Sequence, residues 1–279
     1  MTAHGAIALD DKAYESFPLD PGFCFPTLEV SISAGEQQRL HGYCDIAPAV
    51  FGPSADPALV SRLPIVVVAH TILAQRPGWG PVHLVQRIVQ HRRIALGETL
   101  QLRGEVGEIS VHPRGESMSS SWRYHAADGE CVFEVLPQVL MIDPAGRANA
   151  GQRAAAESNQ IWQQVGRKQC TPASTLGYCE GTRNPVHLDP EVAQRFGFRA
   201  PIIAGTQTMS FLLEALYRER RPDALDLSMR FLRPVFWDDA LTLEANGKGE
   251  DLTEVRARNA AGKEVATLNL DRCAPLANA

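Results

Sequence analysis

The sequence predicts an α+β protein built as a duplication, with two units that each wrap an antiparallel sheet around one helix. Three observations carry that expectation. Short Val- and Leu-rich runs broken by turn residues fill both halves, which is the pattern of antiparallel strands. One segment, Thr206 to Arg220, sets Met209, Leu212, Leu213, Leu216 and Tyr217 at helical spacing, with Phe211 and Ala215 widening the apolar face. Finally, the halves repeat. Gly97-Glu98-Thr99-Leu100-Gln101-Leu102 answers Asp238-Asp239-Ala240-Leu241-Thr242-Leu243, each following an apolar strand that ends in arginine, Arg92 and Arg233. Trp122 to Gly129 answers Val255 to Gly262, and Leu63-Pro64-Ile65-Val66 is set against Ala200-Pro201-Ile202-Ile203.

Along the chain, Met1 to Pro26 is irregular, and its prolines bracket Phe17, Phe23 and Phe25, an aromatic strap for a core. Leu28 to Ile32 alternates as a strand does. The stretch from Tyr43 to Leu63 holds Pro48, Gly52, Pro53 and Pro57, with Pro64 at its edge, and yields no clear element. Ile65 to Ala74 is apolar throughout and reads equally as buried strand or buried helix. Strands are expected at Val82 to Arg92, Thr99 to Ser110, Ser117 to His125 and Cys131 to Met141, the last two joined by an Ala127-Asp128-Gly129 turn. Residues 143–160 are rich in Ala, Gly and Arg and read as a linker between a first unit, 1–142, and a second, 161–279. After the central helix come strands at Asp226 to Phe231, Ala240 to Gly247, Leu252 to Asn259 and Glu264 to Leu270.

Composition removes several classes of function. The 279 residues are 44% hydrophobic and 21% charged with a formal charge of -5, so there is no basic footprint for nucleic acid. The first twenty residues lack a signal-peptide core, and no apolar run reaches membrane-spanning length; Leu63 to Leu73 is too short and is interrupted by His70. Six scattered cysteines with no C-x-x-C pair fit reduced thiols in a cytoplasm and offer no zinc site. His70 in its apolar run reads as a satisfied core histidine, and His41, His83, His91, His112 and His125 have no partner at a telling spacing.

The chemistry gathers in Gly181-Thr182-Arg183-Asn184-Pro185-Val186-His187-Leu188-Asp189. Pro185 holds Asn184 out of the helical region, because its ring crowds the preceding residue. Asp189-Pro190-Glu191 then reads as N-cap, first-turn proline and first-turn acid of a short helix that stops at Gly197. A titratable histidine is thereby presented on a stiff turn at a helix mouth. Arg183, Arg195 and Arg199 flank it, as exposed helix-end arginines or as partners for phosphate.

From Gly181 to Gly205 the chain reads GTRNPVHLDPEVAQRFGFRAPIIAG. This resembles the MaoC-like (R)-specific enoyl-CoA hydratases and dehydratases, whose signature runs roughly G-D-x-N-P-[IL]-H-x-D, then A, G-F, P-I and H-G. Gly181, Asn184, Pro185, Val186, His187, Asp189, Ala193, Gly197, Phe198, Pro201, Ile202 and Gly205 match; outside this stretch the likeness is architectural. The resemblance implies a double hot-dog fold and reversible hydration of an acyl thioester carried by coenzyme A or acyl carrier protein. It implies no further cofactor and no metal, and it goes with a homodimer that engages neither membrane nor nucleic acid. Such hydration needs a base for water, an acid for C2 and donors for the charge on the thioester oxygen. By the resemblance His187 activates water, Asn184 positions the site and the Gly205 amide at a helix start supplies the oxyanion donor.

Thr182 stands where that family has its catalytic Asp, and a hydroxyl is no base at neutral pH. Three readings stay open. Thr182 orients water while His187 acts alone; Glu180, two residues earlier on an extended backbone, replaces the carboxylate; or the site binds thioesters, or stabilises a partner, without hydratase chemistry. Thioester hydrolysis, with other carboxylates on the same fold, is a further alternative.

Overall fold

In the computed structural model, which describes residues 17–145 and 161–274, the strand-like runs become ten strands. The first half supplies β1 (Leu28–Val30), β2 (Gly80–Gln90), β3 (Leu100–His112), β4 (Gly115–His125) and β5 (Cys131–Ile142). The second supplies β6 (Trp162–Gln169), β7 (Ala224–Phe231), β8 (Ala240–Asn246), β9 (Glu254–Asn259) and β10 (Glu264–Ala274). All pair antiparallel, in the order β1-β3-β4-β5-β2-β7-β10-β9-β8-β6. The two sheets expected from sequence are therefore halves of one sheet, zipped together where β2 meets β7 with Ile88 opposite Leu227. Each half alone would end in a row of unpaired backbone groups, and joining the two edges satisfies both.

The central helices are α2 (Pro57–Gln75) and α5 (Gly205–Glu219), accompanied by α1 (Ala34–Cys44), α3 (Pro172–Tyr178) and α4 (Pro190–Arg195). On α5 the periodic residues Met209, Leu212, Leu213, Leu216 and Tyr217 are all buried, as their spacing requires. The ambiguous run Ile65 to Ala74 is helical, and the helix starts earlier, because Pro57 occupies its first turn, where no N–H is needed. Pro64 lies inside α2 and leaves the Val60 carbonyl without its usual amide donor. The Tyr124 hydroxyl on β4 donates to that carbonyl at 2.6 Å, so the helix continues through its own breaker. At 19 residues and mean hydropathy 1.7, α2 has the length and composition of a membrane span, contrary to the expectation that no run would reach it. Here 67% of that window is buried within the fold.

The repeat is real but one of its pairings shifts. Ser54 bridges to Ala95 and Ile202 to Phe236, while the Ala55 and Ile203 amides donate to the Ile94 and Val235 carbonyls at 2.8 and 2.9 Å. The counterpart of residues 200–203 is thus 52–55, the approach to a central helix. Leu63-Pro64-Ile65-Val66 lies nearly two turns inside α2, so its counterpart falls within α5 and not at 200–203.

Helix α1 falls where the sequence showed no element. Its buried face is Gln37, Leu40, His41 and Cys44, half of it polar, so no apolar stripe marks it. Those polar groups meet at Asp56, whose amide donates to Gln37 Oε1 at 2.7 Å. The Asp56 carboxylate accepts from His41 Nε2 at 3.0 Å, from Ser210 Oγ at 3.2 Å and from the Ala58 amide at 2.8 Å. One buried acid ties α1, α2 and α5 together. In the strap, Phe25 stacks on Trp122 at 4.7 Å between ring centroids, and Phe17 and Phe23 pack beside it. Of the expected linker, only 143–145 lies within the described residues.

Candidate active site

The site is assembled by the turn that follows α3. Gly181 and Arg183 take positive φ, +78° and +53°, which winds the chain back on itself. The Cys179 carbonyl accepts from both the Thr182 amide at 3.0 Å and the Thr182 hydroxyl at 2.8 Å. Asn184 is extended (φ -78°, ψ 105°), as the following proline demands, and caps a single 3-10 turn, Pro185–His187. Its Oδ1 accepts from the Val186 amide at 3.4 Å, which leaves Nδ2 to donate to the Pro81 carbonyl at 2.9 Å and to His187 Nε2 at 3.2 Å. On the other side of the ring His187 Nδ1–H donates to the Ile202 carbonyl at 2.8 Å. That bond fixes the tautomer and puts the ring's lone pair on Nε2, where it accepts from the Asn184 amide. Burial pulls the His187 pKa down to about 4, against the opposing Ile202 carbonyl, so the ring is a neutral base near pH 7. Asp189 caps α4 as expected, accepting from the Glu191 and Val192 amides.

Beside this ring lies a cavity of about 190 Å³ with walls from both halves: Val66 and Ala69 of α2, Val82 of β2, Leu140 of β5, then Phe198 and Ile203. The N-terminus of α5 opens onto it through Gly205, Thr206 and Thr208. The N-cap residue, Ala204, has no side-chain acceptor, so the first amides of the helix stay available to a ligand oxygen. Thr182, Asn184, His187 and Gly205 all border this one cavity, and the four candidates converge.

Other expectations fail here. Glu180 turns to solvent, its side chain 73% exposed and paired with Arg39 at 3.1 Å, so it does not supply the missing carboxylate. Arg199 is held by Asp238 and Asp239 over the Phe236 ring and does not border the cavity described above. The arginines that reach the cavity are Arg62, Arg114 and Arg233, which sit far from the motif in sequence. His70 Nε2 lies 2.8 Å from the Thr182 carbonyl, where it steadies the turn. His83 has no partner at a telling spacing in the sequence, yet it borders the cavity. Only its place on a strand facing the helix start reveals it. His91, Cys131 and Glu134 bring ligand atoms within 4.8 Å of one another, but His91 and Arg123 already hold the two carboxylate oxygens.

A neutral histidine, an asparagine that orients it and an uncapped helix start, arranged around an apolar cavity, define an acid–base site for a substrate with an apolar tail and a polarisable carbonyl. The scaffold is a hot-dog fold, and residues 155–269, in the second half of the chain, match the family of the MaoC like domain. Among curated relatives, 3-hydroxyacyl-thioester dehydratase X of Mycobacterium tuberculosis is 25% identical over 158 residues, 56% of either chain. Peroxisomal enoyl-CoA hydratase 2 of Arabidopsis thaliana is 34% identical over 103 residues, 34% of this chain and 33% of that one. The matches thus span about half and a third of these relatives' lengths. The crystal structure of HtdX from Mycobacterium tuberculosis aligns at a TM-score of 0.72 and 19% identity, over 88% of this chain and 99% of that one. A Mycobacterium tuberculosis protein described as having a double hotdog fold aligns at 0.59 and 17% identity, over 90% and 95% of the two chains.

Proposed function

We propose that this protein hydrates 2-enoyl thioesters reversibly to 3-hydroxyacyl thioesters. The observation that carries the reading is the shared cavity: the neutral His187, with its basic nitrogen at Nε2, and the open start of α5 border the same apolar space. In hydration, His187 helps activate a water for attack at C3. As that bond forms, the C2–C3 π electrons move to the thioester oxygen, and the Gly205 amide with the helix dipole stabilises the negative charge. A proton delivered to C2 completes the addition, and the reverse sequence is dehydration. Asn184, anchored on the Pro81 carbonyl, holds the His187 ring in place. Every step is acid–base, so no cofactor is called upon, and coenzyme A or acyl carrier protein arrives with the substrate. The same reading carries a cytoplasmic homodimer.

Thr182 spends its hydroxyl proton on the Cys179 carbonyl and turns lone pairs to the cavity, so it can orient a water but cannot take its proton. Its presence favours one other reading, a protein that binds acyl thioesters without converting them. Among the described residues no carboxylate borders the cavity, which leaves thioester hydrolysis without its usual base. The test follows the loss of conjugated-thioester absorbance as purified protein acts on crotonyl-CoA. Turnover is expected in wild type, and Thr182→Asp is expected to raise it. Wild type that binds crotonyl-CoA without any turnover would favour the binder.

A further inference from the structure

We propose that Arg62 is a specificity-determining residue that binds a carboxylate at the far end of a short acyl chain, so that the substrate is the monothioester of an unsaturated dicarboxylic acid. The inference rests on the hydratase reading above and adds to it the charge of the acyl group. Three guanidinium groups border the cavity, those of Arg62, Arg114 and Arg233, and among the described residues no carboxylate does. Elsewhere arginines are neutralised: Arg87, Arg92, Arg199 and Arg256 each meet a carboxylate at 2.6 or 2.7 Å. The cavity arginines meet main-chain carbonyls instead. Arg62 Nη2 donates to those of Tyr178 and Glu180 at 3.2 and 3.3 Å, Arg114 Nη2 to that of Phe196 at 2.9 Å, and Arg233 Nη1 to that of Glu264. A carbonyl supplies a dipole and leaves the charge uncompensated, which beside apolar walls is costly until an anion arrives.

Arg62 stands where the acyl chain runs on beyond C3. With the thioester oxygen at the Gly205 amide and C3 at His187, the remaining carbons pass from the start of α5 toward Thr182 and the wall made by α2. On that wall Arg62, Ile65, Val66 and Ala69 border the cavity at the spacing of one helix face. Both ends of this stripe touch the motif turn. His70, next to Ala69, bonds the Thr182 carbonyl, and Arg62 bonds the carbonyl two residues before Thr182. The apolar members suit the methylene groups of a chain, and the arginine suits a charged end. Arg233 lies on the other side of the carbonyl, the carrier's side, since Val235, two residues on, takes the amide of Ile203, two residues before Gly205.

The Arg62 group is also set in place and left with hydrogens to give. Its guanidinium carbon lies 5.7 Å from the centre of the buried Tyr178 ring, and two carbonyls hold Nη2. Of the other two nitrogens Nε is buried, whereas Nη1 is accessible and has neither hydrogen spent on a described residue. A planar fork pinned along one side presents the other in a fixed position, which favours a carboxylate over a neutral end.

The carrier's phosphates are the other anions of such a substrate, and the experiment separates the two. It compares 2-hexenedioyl with hex-2-enoyl thioesters, which differ by a carboxylate in place of the terminal methyl group. Each is carried on coenzyme A and on pantetheine, which has no phosphate. Wild type is expected to show kcat/KM about tenfold or more higher for the charged acyl group on either carrier. Arg62→Gln keeps a donor for the two carbonyls and loses the charge. It should lower that ratio about tenfold or more, chiefly through KM, with Arg62→Lys falling between. Because the ratio compares two substrates on one preparation, a role only in holding the end of α3 would leave it unmoved, and an unmoved ratio overturns the proposal. So does a variant that slows both acyl groups on coenzyme A and neither on pantetheine, since Arg62 then binds a carrier phosphate. Wild type that prefers the uncharged chain overturns the role of Arg62 and leaves the hydratase reading standing. Wild type inactive on all four thioesters overturns the hydratase reading; calorimetry with adipyl-CoA and hexanoyl-CoA then decides for Arg62, whose proposed role survives if a tenfold preference for adipyl-CoA vanishes in Arg62→Gln and falls if none is seen.

Discussion

The two central helices begin at equivalent points of a repeated scaffold and begin in opposite ways. Helix α2 starts with Pro57, which has no N–H to offer, and its cap is the Asp56 carboxylate, buried and bonded to Ala58, His41 and Ser210. Helix α5 starts with Gly205, and its cap is Ala204, which offers no side-chain acceptor. The first start is finished from within the protein; the second is left to be finished by a ligand. The loops leading to them show the same division. Arg92 grips Glu98 through two bonds of 2.6 and 3.1 Å, whereas Asp239, the counterpart of Glu98, is taken by Arg199, and Arg233 is left to border the cavity. A fold used twice has thus closed its helix start with a buried acid in one copy and left it open to a cavity in the other.

The widest contrast comes from removing a histidine on each side. His187→Ala should lower turnover on crotonyl-CoA by about 10²–10⁴-fold, while His41→Ala should leave kcat per folded molecule unchanged and lower the melting temperature. Asp56→Ala tests the finished start. It breaks a buried acid–histidine pair and should cost about 3–5 kcal/mol in denaturant unfolding, with activity per folded molecule preserved. Acid should act on the ligand-facing side. His83 and His187 both have folded pKa values near 4 against an ordinary 6.5, so the unfolded chain binds protons more readily. Stability is therefore whole above about pH 6.5 and falls as pH drops toward 4, by up to about 1.4 kcal/mol per pH unit for each ring. Unfolding curves of His187→Phe should show a shallower decline over that window. The smallest effect tests the caps themselves. Ala204→Asp copies Asp56 into the open start, and is expected to add about 1 kcal/mol of helix stability while slowing turnover by occupying the amides.

Much of this was written in the sequence, and what was not has physical reasons. The strands of the first half and the face of α5 follow from alternation and from 3.6-residue spacing, so local pattern suffices there. The motif turn was legible because its devices are local: a proline after Asn184, a cap at Asp189. Helix α1 was not, because Gln37 and His41 are buried as polar groups and satisfied by Asp56, a partner distant in sequence. β6 was missed for a similar reason, since its exposed, largely polar residues show no alternation. Pro57 and Pro64 looked like breakers, but one sits where a helix tolerates proline and the other is repaired by Tyr124 from another strand. The far wall of the cavity and the place of His83 depend on how the halves meet, which no local spacing encodes.

The seam between β2 and β7 makes the two halves inseparable in a practical sense. A protein of two beads on a string can be cut at the string. Here a cut between the halves would strip partners from a strand on each fragment, and Val85 to Gln90 would present the same bare backbone that Leu225 to Arg230 presents. Each fragment would be the natural complement of the other and sticky toward everything else. The cavity would be lost too, because its lining crosses the seam from Val82 and Leu140 on one side to Phe231 and Val265 on the other. Whatever ancestral unit was doubled, the half that gave up its own open helix start is still a wall of the other's cavity.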